Sequence, residues 1–253
     1  MRDTPISLQE LWPSEAAGAL PTRRPRKREP LPKRVGATIA FLADASRRRR
    51  SGRMALWLVV MALVVAGVGM LTYPFYTHYY AHRLQNGALK TKLADFSTPS
   101  GLEQYKRHQL KVGDPLTRII IPKLKLNVIV VEGISGNALR AGAGHYESTA
   151  LPGDYGNVAI AGHRTGFGEP FRHLERLRAG DQIILVTPLG RYTYEVVPPF
   201  DAHANPWITT ATDLSVIQPT AEPSLTLTTC DPPHTSLNRM IVRARRVTVE
   251  QSI

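Results

Sequence analysis

Cysteine occurs once in the 253 residues, at position 230. A single thiol excludes an intrachain disulfide framework and a cysteine-rich metal site, which leaves the thiol itself to be accounted for. Aromatic residues amount to 7% of the chain, and 20 acidic residues stand against 32 Lys and Arg, a formal charge of +12. The shortage of acid is uneven: residues 1–53 carry 13 basic and five acidic groups, so most of the excess belongs to a tail. The last 140 residues show no basic stripe interleaved with aromatics and no zinc or helix-turn-helix spacing, so no nucleic-acid partner is expected. Glu103, Asp114, Glu147 and Asp154 are scattered without the spacing of a calcium loop. Neither a metal nor a cofactor is expected.

Residues 1–53 are rich in Pro and Arg and poor in large apolar groups, and so are expected to form a disordered basic tail. Met54–Tyr73 then provides 20 residues without a charge. At a helical rise of about 1.5 Å per residue this run spans roughly 30 Å, the thickness of a bilayer core, and residues 54–74 read as one transmembrane helix. It is too long and too far from the start for a signal-peptide core. The basic block Arg47–Arg53 precedes the span, and the far side opens with tyrosines, so the positive-inside rule keeps the N-terminus in the cytoplasm and places the rest outside the cell. Tyr73, Tyr76, Tyr79 and Tyr80 read as an interfacial belt. Residues 75–112 read as a juxtamembrane stalk.

From residue 113 onward the pattern changes to short apolar segments punctuated by Gly and Pro. Strands are expected at 118–122, 126–132, 157–162, 182–187, 191–198, 224–229 and 239–249, with short helices at 137–141 and 170–177. This is a mainly β domain, a closed barrel or sandwich. Cys230 ends the alternating run Leu225-Thr-Leu-Thr-Thr-Cys230 and is followed at once by Asp-Pro-Pro, so it sits at a strand end. His163 follows the apolar run Val158-Ala-Ile-Ala-Gly162 at a similar strand end. Arg239 opens the next strand after a short loop, and a hairpin-like return would bring it beside Cys230. A thiol with a pKa near 8.5 becomes a good nucleophile when a cation favours its thiolate. His163 suits that role and the transfer of a proton to a leaving amine, and a permanently charged Arg suits an oxyanion or a substrate backbone. Together they predict acyl transfer through a thioester. Thr228 shares a strand face with Cys230.

Thr228-Thr-Cys230 with Arg239 nine residues on, preceded by Gly142-Ala-Gly-His145-Tyr146 and Ala161-Gly-His163-Arg, closely resembles the sortases, membrane-bound cysteine transpeptidases of Gram-positive bacteria, and class E most of all. The resemblance implies an eight-stranded β-barrel over residues 113–253, with Cys230, His163 and Arg239 as nucleophile, acid and substrate-orienting group. It implies secreted partner proteins with a C-terminal sorting signal, Leu-Ala-x-Thr-Gly in place of Leu-Pro-x-Thr-Gly, cleaved after Thr. It also implies an acceptor amine on peptidoglycan, or on a pilin Lys in a pilus-building member. His145 and Tyr146 are expected to line the substrate groove with Thr228. Asp114-Pro115 is followed by Leu116 where a pilus-building lid carries an aromatic, which favours cell-wall anchoring over polymerisation. A surface cysteine protease and a non-catalytic tethered binding module are the competing readings.

Overall fold

The computed structural model describes residues 33–96, 98–199 and 203–251, so the first 32 residues of the expected basic tail lie outside the described residues. The chain divides into two compact units, Met1–Ala62 and Leu63–Ile253. In the first, residues 33–62 are helical and form the start of α1 (Lys33–Asn86). The helix thus begins twenty residues earlier than the expected tail boundary. Between Lys33 and Pro74 the sequence has no proline to break it, and Ala, Leu and Arg favour it. An 18-residue window within Gly52–Asp95 has a mean hydropathy of 2.5 with none of its residues buried, which makes it a candidate membrane span.

In the second unit the remainder of α1 is followed by α2 (Ala88–Asp95) and α3 (Pro99–Lys106). Thr98 caps α3 by accepting a hydrogen bond from the Gly101 N–H, and Pro99 fills the first helical position, where a missing N–H costs nothing. This segment differs from the expected stalk because it is packed. Leu89 joins Ile129, Val131, Ala138 and Ala141 in one apolar cluster, and Tyr105, fully buried, joins Leu116 and Leu151 in another. Gln85 secures α1 to the β-domain: its Nε2 donates to the carbonyls of Ile129 (2.9 Å) and Ala141 (2.7 Å), and its Oε1 accepts from the Ile129 N–H (2.6 Å). Gly142 makes this possible, since a Cβ there would sit 2.6 Å from Gln85 Nε2. Gln85→Ala leaves these backbone groups without their partner and is expected to cost about 1–3 kcal/mol, read as a lower midpoint in thermal unfolding.

Among the described residues the β-domain contains nine strands: β1 (Pro115–Ile121), β2 (Leu126–Glu132), β3 (Ala143–His145), β4 (Asn157–Gly162), β5 (Gln182–Thr187), β6 (Gly190–Val196), β7 (Trp207–Thr210), β8 (Ser224–Asp231) and β9 (Asn238–Gln251). Eight of them close a mixed barrel in the order β6-β5-β1-β2-β3-β4-β8-β9, with β9 returning to β6; β7 pairs with β9 beside this ring. The barrel therefore has the expected eight strands. β3 and β7 were not among the sequence-read strands, and both are shorter than a typical strand of five or six residues. The β2–β3 and β4–β8 pairs are parallel. Ile119, Val130, Val158, Ile160, Leu225, Leu227 and Val242 point into the closed core. Alternation then sends Thr226, Thr228 and Cys230 of β8 to the outer face. The short helix α4 (Gly136–Arg140) lies where the sequence puts it, and the second expected helix shrinks to a 3₁₀ turn at Leu174–Arg176.

Candidate active site

The three candidate catalytic residues lie at one end of the barrel. β8 and β9 form an antiparallel hairpin in which Cys230 lies directly opposite Arg239. β4 runs parallel to β8, with Ala161 level with Thr228. His163 follows β4 directly, one residue past its end at Gly162, on the side where β8 ends in Cys230 and Asp231. The Thr229 hydroxyl, on the inner face, donates to the Gly162 carbonyl at 2.8 Å and continues this alignment beyond the last backbone rung.

Each side chain is supported by its own loop. Cys230 is half-buried. The Arg239 guanidinium donates from Nη1 to the carbonyls of Ser236 (3.2 Å) and Asn238 (3.0 Å), which tethers it to the β8–β9 turn. The His163 ring rests against Phe167, with centroids 5.4 Å apart, and the His163 carbonyl accepts from the Phe171 N–H at 3.1 Å. Burial pulls the imidazole below its ordinary pKa, because desolvation penalises the imidazolium. Near pH 7 the ring is therefore neutral.

The residues expected to line the substrate groove divide. Tyr146 and Thr228 come together, their hydroxyls 3.1 Å apart, but only Tyr146 is partly exposed; Thr228, two residues before the thiol on β8, is buried and supports Tyr146 from behind. His145 does not join them. It is fully buried, with Nδ1 3.0 Å from a Glu132 carboxylate oxygen and Nε2 3.0 Å from both the Ala150 carbonyl and the Thr149 hydroxyl. The parallel β2–β3 pairing places Glu132 level with His145, and the pair knits two strands together beneath the surface. The reading of His145 as a groove residue is thus corrected: an imidazole with no exposed surface has nothing to offer a substrate.

Sequence reasoning missed Arg164, which follows His163. Its side chain is only about a tenth exposed. Nη1 donates to the Cys230 carbonyl at 3.3 Å and to the Asp231 carboxylate, and Nη2 lies 3.4 Å from Glu175. The adjacency of Arg164 to His163 in Ala161-Gly-His163-Arg164 was the one available signal, and it gave no hint of the partners.

A family model described as a sortase domain matches residues 119–247. The chain belongs to the sortase family. It is 32% identical over 207 residues to Sortase SrtE1 of Streptomyces coelicolor, a match covering 73% of this chain, and is class E-like. The match spans about half, 55%, of that relative's length. Sortase D of Bacillus subtilis is 29% identical over 203 residues, covering 76% of this chain and 97% of its own. Among solved structures, a Clostridium perfringens Sortase D5 transpeptidase superposes with a TM-score of 0.56 at 28% identity, over 65% of this chain and 99% of that one. For this sortase, the β8–β9 hairpin and the end of β4 make up the candidate active site.

Proposed function

We propose that this sortase is a membrane-anchored cysteine transpeptidase that cleaves a Leu-Ala-x-Thr-Gly or Leu-Pro-x-Thr-Gly sorting signal after Thr and joins the protein to a peptidoglycan amine. The observation that carries the reading is the pairing of Cys230 with Arg239 across the β8–β9 hairpin, beside the parallel strand β4 whose end leads directly into His163. His163 accepts the Cys230 proton, and the thiolate attacks the Thr carbonyl carbon. Arg239 donates hydrogen bonds to the oxygen as it becomes an anion. Collapse of the tetrahedral species breaks the Thr–Gly bond while His163 returns the proton to the departing Gly nitrogen, leaving a thioester on Cys230. An incoming amine then attacks the same carbon, His163 removes its extra proton, and the sulfur leaves as an amide forms. The half-buried Tyr146 lines the groove that orients the signal, and the buried Thr228 hydroxyl supports its ring from behind, two residues before the thiol. The apolar span of α1 crosses the membrane with its basic N-terminal side in the cytoplasm, so that the barrel faces the secreted substrates.

The test is mass spectrometry on the full chain in detergent, with each peptide, with and without an amine such as diaminopimelic acid, beside Cys230→Ala. A Thr-terminated acyl adduct on Cys230 that the amine converts into a new amide is expected, and none on Cys230→Ala. Release of free acid alone in the presence of amine would favour a surface protease. An unacylated thiol that also resists alkylation would favour a binding module.

A further inference from the structure

The β4–β8 ladder has its last rung at Ala161–Thr228, two residues short of the pair that must exchange a proton. Beyond that rung the two strand ends are held by side chains: Thr229 to the Gly162 carbonyl from within the barrel, and Arg164 to the Cys230 carbonyl and the Asp231 carboxylate from outside it. The second guanidinium nitrogen of Arg164 reaches Glu175, on the 3₁₀ turn that closes the loop carrying His163 and Phe167.

We propose that Arg164 is a positioning residue, clamping the exit of β4, and with it His163, to the nucleophile end of β8. The proposal rests on the reading of Cys230 and His163 as a catalytic pair. Two physical effects follow from the geometry. First, a planar guanidinium that engages three groups at once restricts both strand ends, where a point cation on a flexible stem would restrict one. Second, Arg164 pairs with Asp231, the residue after the thiol, and with Glu175, which His173 Nδ1 also contacts at 3.3 Å. Without it, Asp231 is left as an uncompensated negative charge next to the thiol that opposes a thiolate, while Glu175 keeps His173. The other charged or titratable groups on these elements are His163 just past β4, Arg239 on β9, His234 on the hairpin turn and His173 before the 3₁₀ turn; of these only His173 is paired with either carboxylate, contacting Glu175 at 3.3 Å, among the hydrogen bonds and ion pairs of the described residues.

The experiment measures iodoacetamide alkylation of Cys230 against pH in the full chain in detergent, with the folded fraction followed by near-ultraviolet circular dichroism. Because it uses no sorting peptide, it separates this idea from the identity of the substrate: peptide inactivity with altered alkylation would leave the clamp standing and remove only the proposed signal. Arg164→Met is expected to slow alkylation at pH 7 by about tenfold and move its rise to higher pH, since a misplaced partner and a bare Asp231 carboxylate both disfavour the thiolate. Arg164→Lys is expected to recover part of the rate, because charge returns without the fork. Asp231→Asn added to Arg164→Met is expected to recover part of it too, by removing the bare charge. An unchanged rate and pH profile in folded Arg164→Met would overturn the proposal, as would losses that follow the unfolded fraction alone. Should Arg164→Met fail to fold, folded Arg164→Lys decides: a wild-type profile there shows that charge suffices and that the fork holds nothing in place.

Discussion

His163→Ala is expected to lower kcat/KM for sorting-peptide cleavage by about 10²–10⁴-fold, the usual contribution of a positioned acid–base group. The expected size reflects two tasks assigned to one ring, removal of the thiol proton and donation to the departing amine. Most of the loss should fall on kcat, because the outer face of β8, where Tyr146 and Thr228 meet, is untouched by the substitution. The same variant has a signature in stability. Burial holds the folded imidazole below its ordinary pKa, so in the window beneath about 6.5 the unfolded chain binds a proton that the folded chain refuses. His163 therefore favours folding less as the pH falls through that value, and imposes no such penalty above it. Thermal unfolding of wild type should show a fall in stability through this window that His163→Ala reduces. A variant with wild-type kcat/KM would remove His163 from the proposed mechanism. Equal pH slopes in the two proteins would show that the ring is not desolvated on folding.

The sites that sequence exposed most clearly are those whose partners are local. The nine-residue interval between Cys230 and Arg239 contains Pro-Pro and polar residues between two alternating runs, so a hairpin return was legible, and the two residues do face each other across the β8–β9 pair. The adjacency of β4 to β8 was not legible from pattern. These are parallel strands more than sixty residues apart; their strand ends and chemistry suggested pairing His163 with Cys230, but no spacing said that β4 and β8 would be neighbours. His145 shows the opposite error. Gly-His-Tyr ahead of a turn resembles an exposed motif, yet the decisive fact is Glu132 on a strand paired in parallel, a contact that no local spacing encodes. Arg164 and Gln85 escaped notice for a related reason. Each satisfies groups 44 to 67 residues away, and a polar residue gives no outward sign of which backbone carbonyls it will meet.

The packed segment between the apolar helix and the barrel supplies the second large effect. Tyr105→Ala is expected to destabilise the β-domain by about 3–5 kcal/mol, the range for truncating a large buried aromatic. In a domain of this size that corresponds to a fall of very roughly 6–20 °C in Tm, taking about 2–4 °C per kcal/mol. Tyr105 has no exposed surface, packs with Leu116 at the start of β1 and Leu151 in the turn before β4, and meets Phe96 edge-on with ring centroids 6.3 Å apart. A loose stalk would predict the reverse, since a side chain in a solvated tether can be truncated at almost no cost. Differential scanning calorimetry of the variant beside wild type decides between them. A loss under about 0.5 kcal/mol, the scale of ordinary surface substitutions, would return residues 75–112 to the role of a spacer. A large loss would mean that α2 and α3 are part of the folded catalytic unit. In that case the end of α1 is joined to the barrel through packed apolar contacts and the three hydrogen bonds of Gln85, and the segment between them is no flexible spacer.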